Sequence, residues 1–367
     1  MKIKKMLTAG AAVAIAMTLA TACGSASTSS ASNDSGSNSS GGSSSSGGSG
    51  TIALLLPDTT SSARYESQDK PDFTAEVKKL DSSAQVDYQN AQGDATTQQQ
   101  QAEAAITNGA KVLVVDPVDS AAAATIVTEA DKAGVKVISY DRMISKAPVD
   151  YYVSFNNEDV GKLQGQYIAD HTPKGGTVVM IDGAQTDNNA LQFAKGAHEV
   201  LDPLFKNGTL KLGYETYTPN WDPQNGLREM EQALTKLNNK VDAVLSANDG
   251  LAGSIIQALS AQHLAGKVPV TGQDATDAGL HDIMQGTQSM TVYKAVPKEA
   301  QVAAQLAVDI LKGQTPSSDV VNGTQDNGSG NPIPSVLLQP VVVTKDNIQD
   351  TVIKDGFTTM DKINNPK

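Results

Sequence analysis

From Ile52 onward the chain alternates short apolar, β-branched runs with segments of helical period, and this rhythm limits the fold more than any other property of the sequence. Strand-like runs are predicted at Ile52–Leu56, Lys111–Val115, Val135–Tyr140, Asp150–Phe155, Thr177–Ile181, Lys211–Tyr217, Ala243–Ser246, Val268–Thr271 and Met290–Tyr293. Several are apolar at consecutive positions, which is the pattern of strands buried on both faces of a parallel sheet. Helices are predicted between them at Gln98–Asn108, Ala121–Ala133, Val160–Asp170, Ala190–Leu201, Pro223–Leu237 and Ala252–Gln262. Gly109 and Gly134 stand just past two of these, the usual place for a residue that ends a helix. Such alternation predicts an α/β fold with parallel sheets covered by helices.

The stretch Val135–Gln166 reads as a crossing between two lobes. Its first strand ends in Asp141-Arg142, its second is Asp150–Phe155, and Asn156–Asp159 then opens a helix with residues suited to capping. In open α/β sheets ligands sit at the carboxyl ends of strands, so Asp141 and Arg142 are either a binding pair or an ion pair closing the strand. Other strand ends carry Asp116, Asp182, Asn248-Asp249, Gln273-Asp274 and Lys294. Each of the Asx residues has an ordinary explanation as a cap or turn residue, but as a set they converge on one crevice. Carboxylates, amides and cations at fixed angles suit neighbouring hydroxyl groups, the pattern a sugar presents. Trp221, the only tryptophan, precedes a helix with Asp222 as its expected cap and Pro223 first inside. Beside a polar crevice it is a candidate for stacking on a sugar face, with Tyr65 opposite.

The N-terminus bears on location. Lys2, Lys4 and Lys5 precede an apolar run from Leu7 to Ala22, the pattern of a secretory signal over residues 1–22. The only cysteine, Cys23, follows in LATACGS. That run resembles a bacterial lipoprotein processing site, with Ala20 where the pattern favours Leu, and implies lipidation at Cys23 and anchoring to the outer face of the cell membrane, the periplasmic side in a Gram-negative cell. Residues 23–50, rich in Ser and Gly, form a tether that cannot bury apolar surface. Without the three leader lysines, 25 basic residues face 40 acidic ones, a formal charge of −15, which excludes a nucleic-acid partner.

YDRMI, the DNN of Asp187–Asn189, the SAND of Ser246–Asp249, GQDA from Gly272, TVYK from Thr291 and TVIKDGF from Thr351 occur together in this order. In these motifs, over Thr51 to Phe357, the chain resembles the D-xylose-binding proteins of bacterial ABC importers, in the sugar branch of the type I periplasmic binding proteins. The resemblance implies two doubly wound parallel-sheet lobes joined by a three-stranded hinge. They would comprise 51–155 with about 295–335, and 156–294 with about 336–367. It further implies a monomer that closes on one monosaccharide, most closely D-xylose, and that needs no cofactor or metal. A permease and its ATPase would be the partners. Carried over residue by residue, it implies a site of Arg64, Tyr65, Asp141, Arg142, Asn188, Trp221, Asn248, Asp274 and Lys294. Asn188 is preferred to Asn189, and Asp249 is left as an alternative helix cap. Tyr65 stands where the xylose binders have Trp, and Ala63 where they have an acidic residue.

Rival classes are weaker on the residues. A Walker A loop, a G-x-S-x-G elbow and an H-E-x-x-H pair are all missing from the sequence, and His171, His198, His263 and His281 lack metal-ligand spacing. Asp141 and Asp274 are the carboxylates that a glycoside-processing enzyme would have to use. A transcription regulator of the same fold would need a DNA-binding segment where the leader and tether stand. A lipid-anchored sugar sensor docking on a receptor differs from an importer component only in its partner. The Gly- and Asn-rich stretch 322–334 reads as an exposed connection.

Overall fold

The computed structural model describes residues 50–366; the expected signal, Cys23 and all but the last residue of the tether lie outside them. The chain builds two sheets. The first has seven strands: β1 (Thr51–Leu56), β2 (Gln85–Asn90), β3 (Ala110–Val115), β4 (Lys136–Tyr140), β5 (Tyr151–Phe155), β10 (Gly323–Gln325) and β11 (Ile333–Leu338). Their order is β10-β11-β5-β4-β3-β1-β2, and every pairing is parallel except β10 with β11. The second sheet has β6 (Thr177–Asp182) between β7 (Lys211–Tyr217) and β8 (Ala243–Ser246), all parallel. An antiparallel pair, β9 (Thr291–Tyr293) with β12 (Val341–Val343), extends it through single bridges at Val270 and Gln273. Val268–Thr271, expected as a full strand, makes only such a bridge because Gly272 and the turn at Asp274 follow at once.

The consecutive apolar positions of β1 divide as a two-residue period requires. Ile52, Leu54 and Leu56 face α1 (Lys70–Leu80) and α9 (Val296–Leu311), while Ala53 and Leu55 face α2 (Ala95–Thr107) and α3 (Ala124–Lys132). Burial on both faces is what lets this strand dispense with polar residues. The second sheet is covered by α4 (Asn157–His171), α5 (Asn188–Lys206), α6 (Pro223–Lys236) and α7 (Asp249–Ala261), with α8 (Asp277–Gln285) and α10 (Met360–Asn364) around a smaller core. The α/β fold and its two lobes are therefore as expected. Helices α1, α8 and α9 went unread because α1 is charged, α8 short and α9 opened by Ala295 without a side-chain cap.

The chain passes between sheets three times, after Phe155, at Lys294–Val296 and after Leu338. The stretch 322–334 is more than an exposed connection: it carries β10 and turns into β11. Its buried Asn327 donates to Ile144 O at 2.8 Å and Ala147 O at 2.7 Å, pinning the loop behind Arg142.

Helices α4 and α5 cross at backbone contact. A Cβ on Gly161 would lie 1.9 Å from Phe193 O, and one on Gly196 would lie 2.0 Å from Glu158 O. Asp187 and Asn189 stand at the start of α5, one of the two helices packed at this crossing. Gly161→Ala must force the helices apart and is expected to destabilise the fold by about 2–3 kcal/mol, the scale of an overpacked core. Chemical unfolding measures this, and a wild-type midpoint would refute the close approach.

Candidate functional site

The carboxyl ends of both sheets meet at a narrow interlobe cavity. After β1, a loop supplies Ser61 and Ser62, and the helical turn that follows (Tyr65–Asp69, with Arg64 at its N-cap position) supplies Arg64 and Tyr65; after β4, the chain supplies Asp141 and Arg142. The facing wall comes from Asp187, Asn189 and Phe193 at the start of α5, Trp221 after β7, Asn248 after β8, and Gln273, Asp274 and Lys294 from the second sheet's end. Asp141, Trp221 and Asp274 hold φ of 51°, 54° and 97°, left-handed conformations that L side chains seldom adopt. Strain of this kind persists only where the surroundings over-determine it, and here it recurs on the cavity wall.

Asp141 is the electrostatic centre. Its Oδ1 accepts from Lys294 Nζ at 2.8 Å and lies 3.4 Å from Arg64 Nη1. Burial opposes its charge, but the Arg64 and Lys294 cations hold its carboxyl well below the usual carboxylate range. The same carboxylate raises Lys294 against the effect of burial. Its carbonyl accepts from Tyr152 Oη at 3.1 Å, Ser154 Oγ at 2.7 Å and Asn189 Nδ2 at 3.1 Å.

Arg142 also spans the lobes. It donates to Tyr65 Oη at 3.1 Å and Ser61 Oγ at 3.3 Å, and its Nε lies 3.1 Å from Asp187 Oδ2. Asp187 also accepts from Trp221 Nε1 at 3.0 Å, fixing the indole, which lies against Gly183 where a Cβ would come within 2.1 Å of the ring. Phe193 meets Trp221 edge to face, with centroids 6.4 Å apart. Asn248 caps α7 with Oδ1 and donates across the cleft to Ser61 O at 3.2 Å. Two further bonds close the rim: Ser120 N donates to Thr186 O at 2.9 Å, and Asn188 N donates to Ser120 Oγ at 3.0 Å.

Of the nine site residues expected from the sequence, eight line this cavity: Arg64, Tyr65, Asp141, Arg142, Trp221, Asn248, Asp274 and Lys294. Asn188 does not. Asp187 caps α5, so Asn188 turns toward the rim and its amide oxygen accepts from Gln192, while Asn189 faces inward. Asp249 is absent from the wall as well; its carboxylate accepts from Thr276 N at 2.8 Å and Gln288 Nε2 at 2.7 Å within its own lobe. Ser61, Ser62, Asp187 and Phe193 were missed. Asp187 is the first residue of the DNN motif, and only its role as a cap turned toward the cleft distinguishes it. Among the described residues, no cluster of three or more His, Cys, Asp and Glu is placed to hold a metal ion.

Comparison with known proteins agrees with this geometry. The family described as periplasmic binding protein domain matches residues 52–315. The chain is 46% identical over 284 residues to the D-xylose-binding periplasmic protein of Escherichia coli, covering 77% of this chain and 84% of that one. It is 44% identical to the protein of the same description from Haemophilus influenzae, covering 76% and 83%. Among solved structures, a carbohydrate transporter solute-binding protein from Chloroflexus aurantiacus in complex with D-glucose superposes with a TM-score of 0.77 at 33% identity, covering 84% of this chain and 97% of that one. These relatives are sugar-binding transport proteins, not enzymes.

Asp182, another strand-end carboxylate, points away from the cavity toward Glu215 and His198. Burial, with Glu215 adding to it, pushes its carboxyl up to about 8. The folded value exceeds the unfolded one, so this proton favours the fold below the ordinary carboxylate range, and stability falls as pH rises through about 8. Asp182→Asn is expected to reduce the wild-type loss between pH 5 and pH 8 by at least about 2 kcal/mol. Urea unfolding at the two pH values measures it, and equal losses in both proteins would count against the burial account.

Proposed function

The chain belongs to the periplasmic binding protein family, and from that premise we propose that it is the extracytoplasmic sugar-binding component of an ABC importer, taking D-xylose or a closely related monosaccharide. The cavity carries this reading: a space between two lobes, walled by polar groups from both. Asp141, Asp274 and the side-chain amides accept or donate in fixed planes, as adjacent hydroxyls require, while Trp221, Phe193 and Tyr65 offer apolar faces to the ring. The 46% identity to a D-xylose-binding protein supports xylose in particular. Tyr65 and Ala63 are where its preference would depart from that relative's.

Closure is the mechanism. An open cleft admits the sugar, each lobe adds contacts that exist only when the lobes meet, and the closed population grows by the ligand's differential affinity for that form. Among groups that bridge the lobes, Arg142 with Asp187 and Asn248 with Ser61 connect wall residues directly. The division at residue 155 and about 294 is part of the same proposal and sheet pairing supports it; the third boundary, expected at about 335, shifts to just after Leu338 because β11 stays beside β5 to that residue. A permease and ATPase would read the closed surface, and a diacylated Cys23 would hold the protein beside them.

Titration of a fragment starting at Thr51 with a monosaccharide panel, followed by heat and by the fluorescence of the only tryptophan, tests this. D-Xylose is expected to saturate it, and Asp141→Ala and Asn248→Ala each to weaken binding roughly a hundredfold, the scale of a lost hydrogen bond to a charged or desolvated group. Both variants are expected to keep the wild-type far-UV spectrum. Failure of every sugar to bind would remove the function, and wild-type affinity in both variants would remove these residues from the site.

A further inference from the structure

Arg64 is held from behind by groups that do not line the cavity. Its Nε donates to Asp69 Oδ2 at 2.9 Å; its Nη2 donates to Asp69 Oδ1 at 2.7 Å and to Glu299 Oε2 at 2.8 Å. Tyr140 Oη donates to Asp69 as well, so the clamp joins the turn before α1, the end of β4 and the first turn of α9. Asp69 and Glu299 are fully buried. A guanidinium has five N–H donors, and this arrangement uses the three on Nε and Nη2. Only Nη1 remains, buried on the cavity side beside Asp141 and making no hydrogen bond within the protein.

We propose that Glu299 is a positioning residue for sugar binding: together with Asp69 it fixes the guanidinium plane so that both Nη1 donors face the ligand. The inference rests on the reading that this cavity takes the sugar. Glu299 lies five residues beyond Lys294, on the helix that begins where the chain crosses back to the first sheet. One segment therefore supplies a cavity cation and, a turn later, the brace for the other. Asp69 alone would hold the fork bidentately but leave one Nη2 donor buried without an acceptor, so Glu299 completes the set of fixed contacts.

The groups facing Glu299 are Arg64 and Asp69 from the helical turn before α1, Tyr140 and Asp141 from β4 and its end, Tyr152 from β5, and Lys294. Burial, reinforced by the Asp141 charge and offset by Arg64 and Lys294, pushes its carboxyl up to about 8. Opening the cleft lets water reach Arg64 and Asp141, lessening that burial, and also withdraws Lys294, which acts in the opposite sense; burial is the larger influence, so the closed form holds the proton more tightly. Closure then takes up a proton, and affinity declines as pH rises toward about 8.

The test is the dissociation constant for D-xylose from pH 6 to pH 9 in the wild type, Glu299→Ala and Glu299→Gln. Glu299→Ala is expected to bind at least about tenfold more weakly at pH 6, the effect of losing one acceptor to a charged donor. Glu299→Gln, which keeps that acceptor but cannot ionise, is expected to recover part of the loss and to show a flatter pH profile than the wild type. A merely structural role would lower the melting temperature and leave the profile unchanged. Wild-type affinity in Glu299→Ala overturns the proposal. If that variant does not fold, a Glu299→Gln profile superimposable on the wild type overturns it. A wild type that binds no sugar fails earlier and on different ground, sinking the proposed function and this inference with it.

Discussion

A carboxylate buried between two cations, Asp141 with Arg64 and Lys294, is the interaction on which the cleft depends. Taking three charges out of water is costly, and the attraction among them offsets that cost only if hydrogen bonds satisfy what remains of each group. The structure meets this condition from several directions. Asp141's carbonyl draws donors from β5 and from α5, while Arg64 is braced by Asp69 and Glu299. Because Lys294 and Asn189 come from the other side of the gap, the constellation is complete only when the lobes are together. The closed form is thus defined by electrostatics before any sugar contact is considered.

The rest of the wall fits a ligand that is polar at its edges and apolar on its faces. Planar acceptors and donors are spread around the cavity, with Asp274 and Asn248 opposite Arg64 and Ser61. Aromatic side chains occupy the remaining sides. Trp221 reaches its place because Gly183 leaves room at the end of β6 and because Asp187 takes the indole hydrogen bond. An apolar ligand would leave Arg64 Nη1 and its neighbours desolvated without partners, and such a penalty rejects it more strongly than poor shape would.

Much of this was legible in the sequence, for physical reasons that differ by residue. Strands β1, β3 and β4 announced themselves because burial on two faces leaves little place for polar residues, as in Leu54–Leu56 and Val112–Val115, whereas the polar, partly buried edge strand β2 carried no such signal. Polar residues ending such strands then stood out, and Asp141, Arg142, Asn248, Asp274 and Lys294 were found in this way. Arg64 and Tyr65 open a single helical turn, Tyr65–Asp69, where composition carries no signal, and only the resemblance to xylose binders brought them forward. Glu299 and Asp69 act at one remove from the ligand. Glu299 sits on a helix whose pattern is an ordinary amphipathic one, and nothing in a linear reading reveals that the turn before α1 and the start of α9 share an arginine.

The misreading of Asn188 follows from how a helix begins. Successive residues in an α-helix point about 100° apart, so three neighbours at its start cannot all face one cavity. Here Asp187 caps the helix and holds Trp221, Asn188 presents its peptide N–H to Ser120, and Asn189 reaches Asp141. Side-chain type alone favours neither asparagine; which one faces inward follows from Asp187, rather than Asn188, being the cap. The same three residues therefore tie stacking, rim closure and the central carboxylate to one helix terminus. The Ser120 bonds, the Arg142–Asp187 pair and the Asn189–Asp141 bond all join the two walls of the cleft at this one helix terminus.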